Sequence, residues 1–137
     1  MTRENSTDIT INWTQGDTTV GWSGPAGKME KSYDLPPQAV VAWREYDQDW
    51  VLVVEALDGT PFTPADNAVV HRADGTRRVR LRPPRGLVPD PEDVHGFYDA
   101  FLQHGRPLLI MVTRNAGDFH GRIDLDTGDI VDTGTWR

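Results

Sequence analysis

The sequence predicts a mainly β domain, an antiparallel meander of about eight strands arranged as a sandwich or barrel-like curved sheet with one short helix. Three observations carry this. Apolar residues recur at every second position through most of the chain, the period of a half-buried strand. Pairs such as Asp74-Gly75 and Asp58-Gly59 punctuate these runs, where hairpins need residues that accept a left-handed backbone. Thirteen glycines and ten prolines leave few stretches long enough for a helix. A length of 137 residues fits a single β-rich domain, 1–137, around one hydrophobic core.

Ile9, Ile11 and Trp13 alternate with Thr10 and Asn12, and Val20 and Trp22 resume the pattern after a turn at Gln15-Gly16-Asp17. Ser23-Gly24-Pro25-Ala26-Gly27 is a loop by composition, and residues 28–34 form a short strand stopped by Pro36-Pro37. Residues 39–46 and 50–56 make a second hairpin about Asp47-Gln48-Asp49. Its second arm, Val51-Leu52-Val53-Val54, is continuously apolar and is therefore expected to be central and covered on both faces. Asp58-Gly59 opens a turn and loop through Pro64. Residues 67–71 and 77–82 flank Ala73-Asp74-Gly75-Thr76 as a third hairpin.

The one helix is expected at 91–103. Pro91 suits its first position, Glu92 and Asp93 its first turn, and Gly105 its end. Val94, Phe97, Tyr98, Phe101 and Leu102 recur at three- and four-residue spacing, while Gly96 costs a helix about 1 kcal/mol relative to alanine. Residues 108–113 read as a buried strand. Residues 119–125 and 130–136 read as a closing hairpin about Asp126-Thr127-Gly128-Asp129.

Composition excludes several chemistries. With no cysteine there are no disulfides, thiolate metal sites or Cys nucleophile. The start, MTRENSTDIT, lacks the apolar core of a signal peptide, and no apolar run approaches the ~18 residues of a membrane span. A cytoplasmic protein with no membrane partner is expected. Twelve arginines against two lysines look like a GC-rich coding bias, a hint of source that carries nothing about mechanism. A net charge of −7 argues against nucleic acid as a partner, because neutralising phosphates needs a basic surface.

No catalytic signature emerges. Gly21 to Met29 departs from a phosphate loop, with Trp22 where glycine and Met29 where Ser/Thr would stand. In Asp124-Leu125-Asp126-Thr127-Gly128-Asp129 the glycine and aspartate are transposed relative to a calcium loop, and hairpin-turn chemistry accounts for the same residues. His71, His95, His104 and His120 form no HxH, HxxxH or HExxH pair. Ser6, Ser23 and Ser32 stand in no nucleophile elbow. The expectation is a non-enzyme with no metal and no cofactor.

Charge is distributed unevenly. Residues 1–66 hold eleven acids against four bases, whereas residues 67–137 hold ten of each. Six arginines crowd Arg72 to Arg85, and strand alternation puts Arg78, Arg80 and Arg82 on one face opposite Val79 and Leu81. These three form an anion-binding set or, given the acidic surroundings, an internal counterweight to the acids. Five tryptophans pair naturally across strands, Trp13 with Trp22 and Trp43 with Trp50.

The run from Phe119 to Ile130, FHGRIDLDTGDI, resembles the strand–turn–strand hairpin of propeller blades and the endings of small acidic single-domain bacterial β proteins. Some of those are immunity proteins of polymorphic toxin systems. The likeness spans about a tenth of the chain and transfers no functional residue; four propeller blades of about 40 residues each would not fit. It implies an immunity protein of a toxin–antitoxin pair, a monomer or homodimer whose partner is a basic toxin domain. The expected contact is Glu45, Asp47, Asp49 and Trp50. The alternative is a barrel-type carrier of a small acidic or apolar ligand, its cup lined by aromatics and by Arg78, Arg80 or Arg82.

Overall fold

The computed structural model describes residues 6–57 and 66–136; the expected loop from Asp58 to Pro64 lies outside them. Among the described residues eleven strands form three sheets, and within each sheet consecutive strands pair antiparallel. Sheet A holds β1 (Thr10–Asn12), β2 (Thr19–Gly24) and β3 (Gly27–Ser32) in that order. Sheet B holds β4 (Ala39–Glu45), β5 (Gln48–Val54), β6 (Ala68–Arg72) and β7 (Arg77–Leu81). Sheet C holds β8 (Val94–Gln103), β9 (Arg106–Thr113), β10 (Asp118–Ile123) and β11 (Ile130–Thr135), ordered β11-β10-β9-β8.

The alternation of β5 sets the layering. Trp50, Leu52 and Val54 enter one core with Phe97, Leu109, Met111, Ile123 and Ile130 of sheet C. Val51 and Val53, pointing the other way, enter a second core with Ile9, Val20 and Trp22. Sheet B is therefore the middle of three layers, and β5 is covered on both faces as its continuous apolar run predicts. Each fully buried Val, Leu, Phe or Met contributes about 1.5–3 kcal/mol of burial free energy. Trp43 and Trp50 are cross-strand partners, both buried in the larger core.

Short turns close the hairpins. Tyr46-Asp47 joins β4 to β5 and His104-Gly105 joins β8 to β9, each with both residues at positive φ. Such a turn twists in the same sense as the strands it connects. The β4–β5 turn is thus Tyr46-Asp47 and not the expected Asp47-Gln48-Asp49, because Glu45 and Gln48 already pair.

Two expectations are corrected. Among the described residues eleven strands in three sheets replace about eight in a sandwich or barrel-like curved sheet, since the segment expected to be helical supplies β8 and the division into three layers is set by packing between sheets. No helix occupies 91–103. Pro91–Asp93 makes one 3-10 turn, capped by the Asp90 side chain accepting from the Glu92 N–H, and β8 begins at once. Two β-bulges explain the deceptive pattern. Val94 opposes Thr113 while Gly96 opposes Val112, and Phe97 opposes Met111 while Asp99 opposes Ile110. Each bulge inserts one residue, so Val94, Phe97 and Ala100 all face inward at a spacing of three. A bulged strand here imitates helical periodicity.

Bulges leave backbone groups without ladder partners, and polar side chains from sheet B supply them. Buried Asn67 accepts from the Phe97 N–H and donates to the Phe97 carbonyl, both at 2.7 Å, and Gln38 donates to the Tyr98 carbonyl. Gly96 at φ +138° occupies backbone space that other residues avoid. Gly96→Ala should therefore destabilise the protein by about 1–3 kcal/mol, measured as a lowered urea midpoint. In a helix the same change would raise stability by about 1 kcal/mol, so the sign of the shift decides.

Candidate functional site

The β4–β5 hairpin carries the four residues expected to meet a partner, and the fold separates their roles. Trp50 is 4% exposed, stacked in the core with its indole N–H donated to the Glu45 carbonyl at 2.9 Å. It is no surface contact, because inward alternation from Leu52 and Val54 carries it inside. Asp49 is also occupied internally. It accepts from the Thr7 hydroxyl at 2.8 Å and the Asp8 N–H at 3.3 Å, and pairs with Arg44 at 3.4 Å. Glu45 is half-buried and accepts from the Trp43 indole at 2.9 Å. Asp47 alone among the four is fully outward.

Tyr46 takes the prominent position that the sequence reading assigned to Trp50. It is 59% exposed at the tip, at φ +56° beside Asp47 at +57°. A left-handed aromatic residue is uncommon and marks a held conformation. The signal was present in Glu45-Tyr46-Asp47, an aromatic residue between acids at a turn, but the turn had been placed one residue too late.

A second tip meets the first. In the β10–β11 loop, Asp124 accepts from the Asp126 and Thr127 N–H groups, and its own N–H donates to the Asp129 carbonyl. The expected turn chemistry is what these acids perform. The tyrosine hydroxyl of Tyr46 titrates above its ordinary range, chiefly because of the Asp126 carboxylate, with smaller contributions from burial, Glu45 and Asp124. Two hairpin tips distant in sequence thus bring Glu45, Asp124 and Asp126 near one exposed aromatic ring, with Asp47 exposed next to it in the chain. An open groove of about 300 Å³ runs beside it, with Trp50 in its wall and Tyr46, Gln48, Arg72, Arg78, Leu125 and Asp126 around it. Among the described residues no three carboxylates or imidazoles are grouped to hold a metal ion.

The arginine strand departs from simple alternation. Arg77 opposes His71 and Val79 opposes Val70, so Arg78 is the extra residue of a bulge. Arg78 and Arg80 therefore serve different neighbours. Arg78 donates to the Leu125 carbonyl at 2.9 Å, tying sheet B to the β10–β11 loop. Arg80 grips Glu55 through two bonds of 2.8 and 3.3 Å and donates to the Asp66 carbonyl. Arg82 lies beyond the end of β7, exposed beside Pro83, Pro84 and Arg85. The three do not form one anion-binding row; two of them act inside the fold.

The sequence reading also passed over His71. It is 6% exposed, its ring 5.8 Å from that of Trp22, and neither ring nitrogen has a hydrogen-bond partner. Burial, aided by Lys31, Arg80 and Arg77, pushes its pKa down to about 4. An unfolded chain takes up that proton near pH 6.5, the folded chain only near pH 4. Acidification therefore feeds the unfolded state first, and the stability present above pH 6.5 is lost as pH falls towards 4. His71→Phe should flatten this part of the profile, read from urea midpoints of both proteins at pH 7.5, 5.5 and 4.5. Parallel profiles would show that His71 contributes nothing to the acid sensitivity.

No protein-family model matches the chain, and neither the curated proteins nor the solved structures compared with it include a match.

Proposed function

We propose that the chain is a non-enzymatic protein-binding domain that docks its Tyr46 tip on a basic protein surface, most concretely as an immunity protein covering the active site of a toxin. The observation that carries this reading is the 59% exposed Tyr46 ring with the carboxylates of Glu45, Asp124 and Asp126, from two hairpins, acting on it. A tyrosine offers a large amphipathic contact with few torsions to immobilise, and it is common among residues that dominate binding energy. The surrounding acids favour a partner rich in Lys and Arg and would accelerate encounter at low salt. Asp47 belongs to this contact; Asp49 and Trp50 support it from within. The carrier alternative draws no support from the Tyr46 groove, which is open and flanked by charged side chains rather than an apolar cup.

The natural probe is the protein encoded beside this one, titrated calorimetrically against the full chain. A complex at or below micromolar Kd is expected, weakening as salt rises. Tyr46→Ala should cost about 2 kcal/mol, or roughly thirtyfold. Asp47→Asn should slow association, with dissociation little changed. Asp49→Asn should lower stability and leave affinity within about threefold, since Asp49 makes internal bonds. Absence of a complex, or a Tyr46→Ala affinity equal to the native one, would overturn the reading.

A further inference from the structure

The seam between sheets A and B collects positive charge that the protein does not neutralise. Three contacts bring the two sheets together there. Met29 lies against Gly75, whose added Cβ would sit 3.1 Å from the sulfur; Trp22 donates to the Ala73 carbonyl at 3.0 Å; and its ring lies tilted at 40° against that of His71. Alternation then orders the rest. Lys31 is the cross-strand partner of Val20, as Met29 is of Trp22, so Lys31 shares the face turned towards sheet B. Tyr33, two residues on, packs in the same core. From sheet B, His71 is the partner of Val51 and of Arg77, and Arg80 is the partner of Val69, all on the face turned towards sheet A.

Lys31, His71, Arg77 and Arg80 therefore share one margin of the seam, His71 buried within it, Lys31 and Arg80 half-buried and Arg77 exposed at its edge. Glu55 is committed to Arg80. Tyr33 remains a neutral hydroxyl, its pKa pushed up to about 12 by burial and by Glu55. Among the described residues neither Lys31 nor Arg77 has an ion pair, and the buried imidazole has no acceptor for its N–H. Like charges gathered around an unpartnered buried polar group are costly unless something of opposite sign completes them.

We infer that this seam is a binding site for a small oxyanion, held by Lys31 and Arg77 with the His71 imidazole donating from below. The ligand class is a small molecule bearing a phosphate, sulfate or carboxylate group. Such a group offers the several acceptor oxygens that a guanidinium, an ammonium and an imidazole N–H together require. A negative charge beside His71 also makes its protonated form easier to hold, so binding and proton uptake are linked. The site is separate from the Tyr46 tip and stands whether or not that tip binds a protein.

Titration of the full chain with sodium sulfate, followed by the NMR signals of the His71 ring and the Trp22 indole, tests this at constant ionic strength against sodium chloride. Sulfate keeps its charge over the pH range where histidine titrates, so a change in His71 cannot come from the anion's own ionisation. Saturable shifts are expected with sulfate and not with chloride. The His71 pKa should rise by about one unit at saturation. Lys31→Gln and Arg77→Gln should each weaken saturation by about tenfold, with unchanged circular dichroism showing that the fold is kept. Inorganic phosphate and acetate, run alongside, separate tetrahedral oxyanions from carboxylates, and saturation by any one of the three upholds the site. Linear drifts equal to those in chloride, or saturation unaltered in both variants, would overturn it.

Discussion

The rest of the structure depends on covering sheet B twice. Val51 to Val54 are fully buried, and four successive apolar side chains leave no face for solvent. One sheet packed on β5 would leave either Val51 and Val53 or Leu52 and Val54 in water, forfeiting about 1.5–3 kcal/mol for each exposed residue. Sheets A and C answer the two halves of that demand. The two candidate regions follow from it. The Tyr46 tip is the far end of the hairpin that contains β5, and the His71 seam is the margin where sheet A meets β6 and β7.

What was legible in the sequence was what local physics decides. The alternation of Ile9, Ile11 and Trp13, the unbroken apolar run of β5 and the Asp74-Gly75 turn each correspond to the expected element. Trp43 and Trp50 pair as their spacing about a turn requires. These signals arise within a few residues of one another, and neighbouring structure reinforces them.

What was not legible lay where one strand takes an extra residue. Bulges in β8 turned a period of two into a period of three, and a bulge at Arg78 sent neighbouring arginines to different partners. A bulge is recorded in the register between strands, which a single strand does not contain. The same limit applied to the acidic hairpin. That Asp49 would be taken by Thr7 and Trp50 by the core depends on which layer each faces, a tertiary fact. Gly96 was the one local clue, since a glycine that weakens a helix is at ease in a bulge.

The Tyr46-Asp47 turn is held in a conformation that neither residue prefers. Two successive non-glycine residues in the left-handed region each cost the chain about 1–2 kcal/mol. Strand pairing on either side, from Arg44 with Asp49 and Glu45 with Gln48, holds that conformation against its own preference. Order at this tip is thus imposed during folding, before any partner arrives. Under the proposed function, a tip with little motion left to surrender would meet a partner as a rigid body, and discrimination would rest on shape: a surface that does not already fit has no loop to mould it.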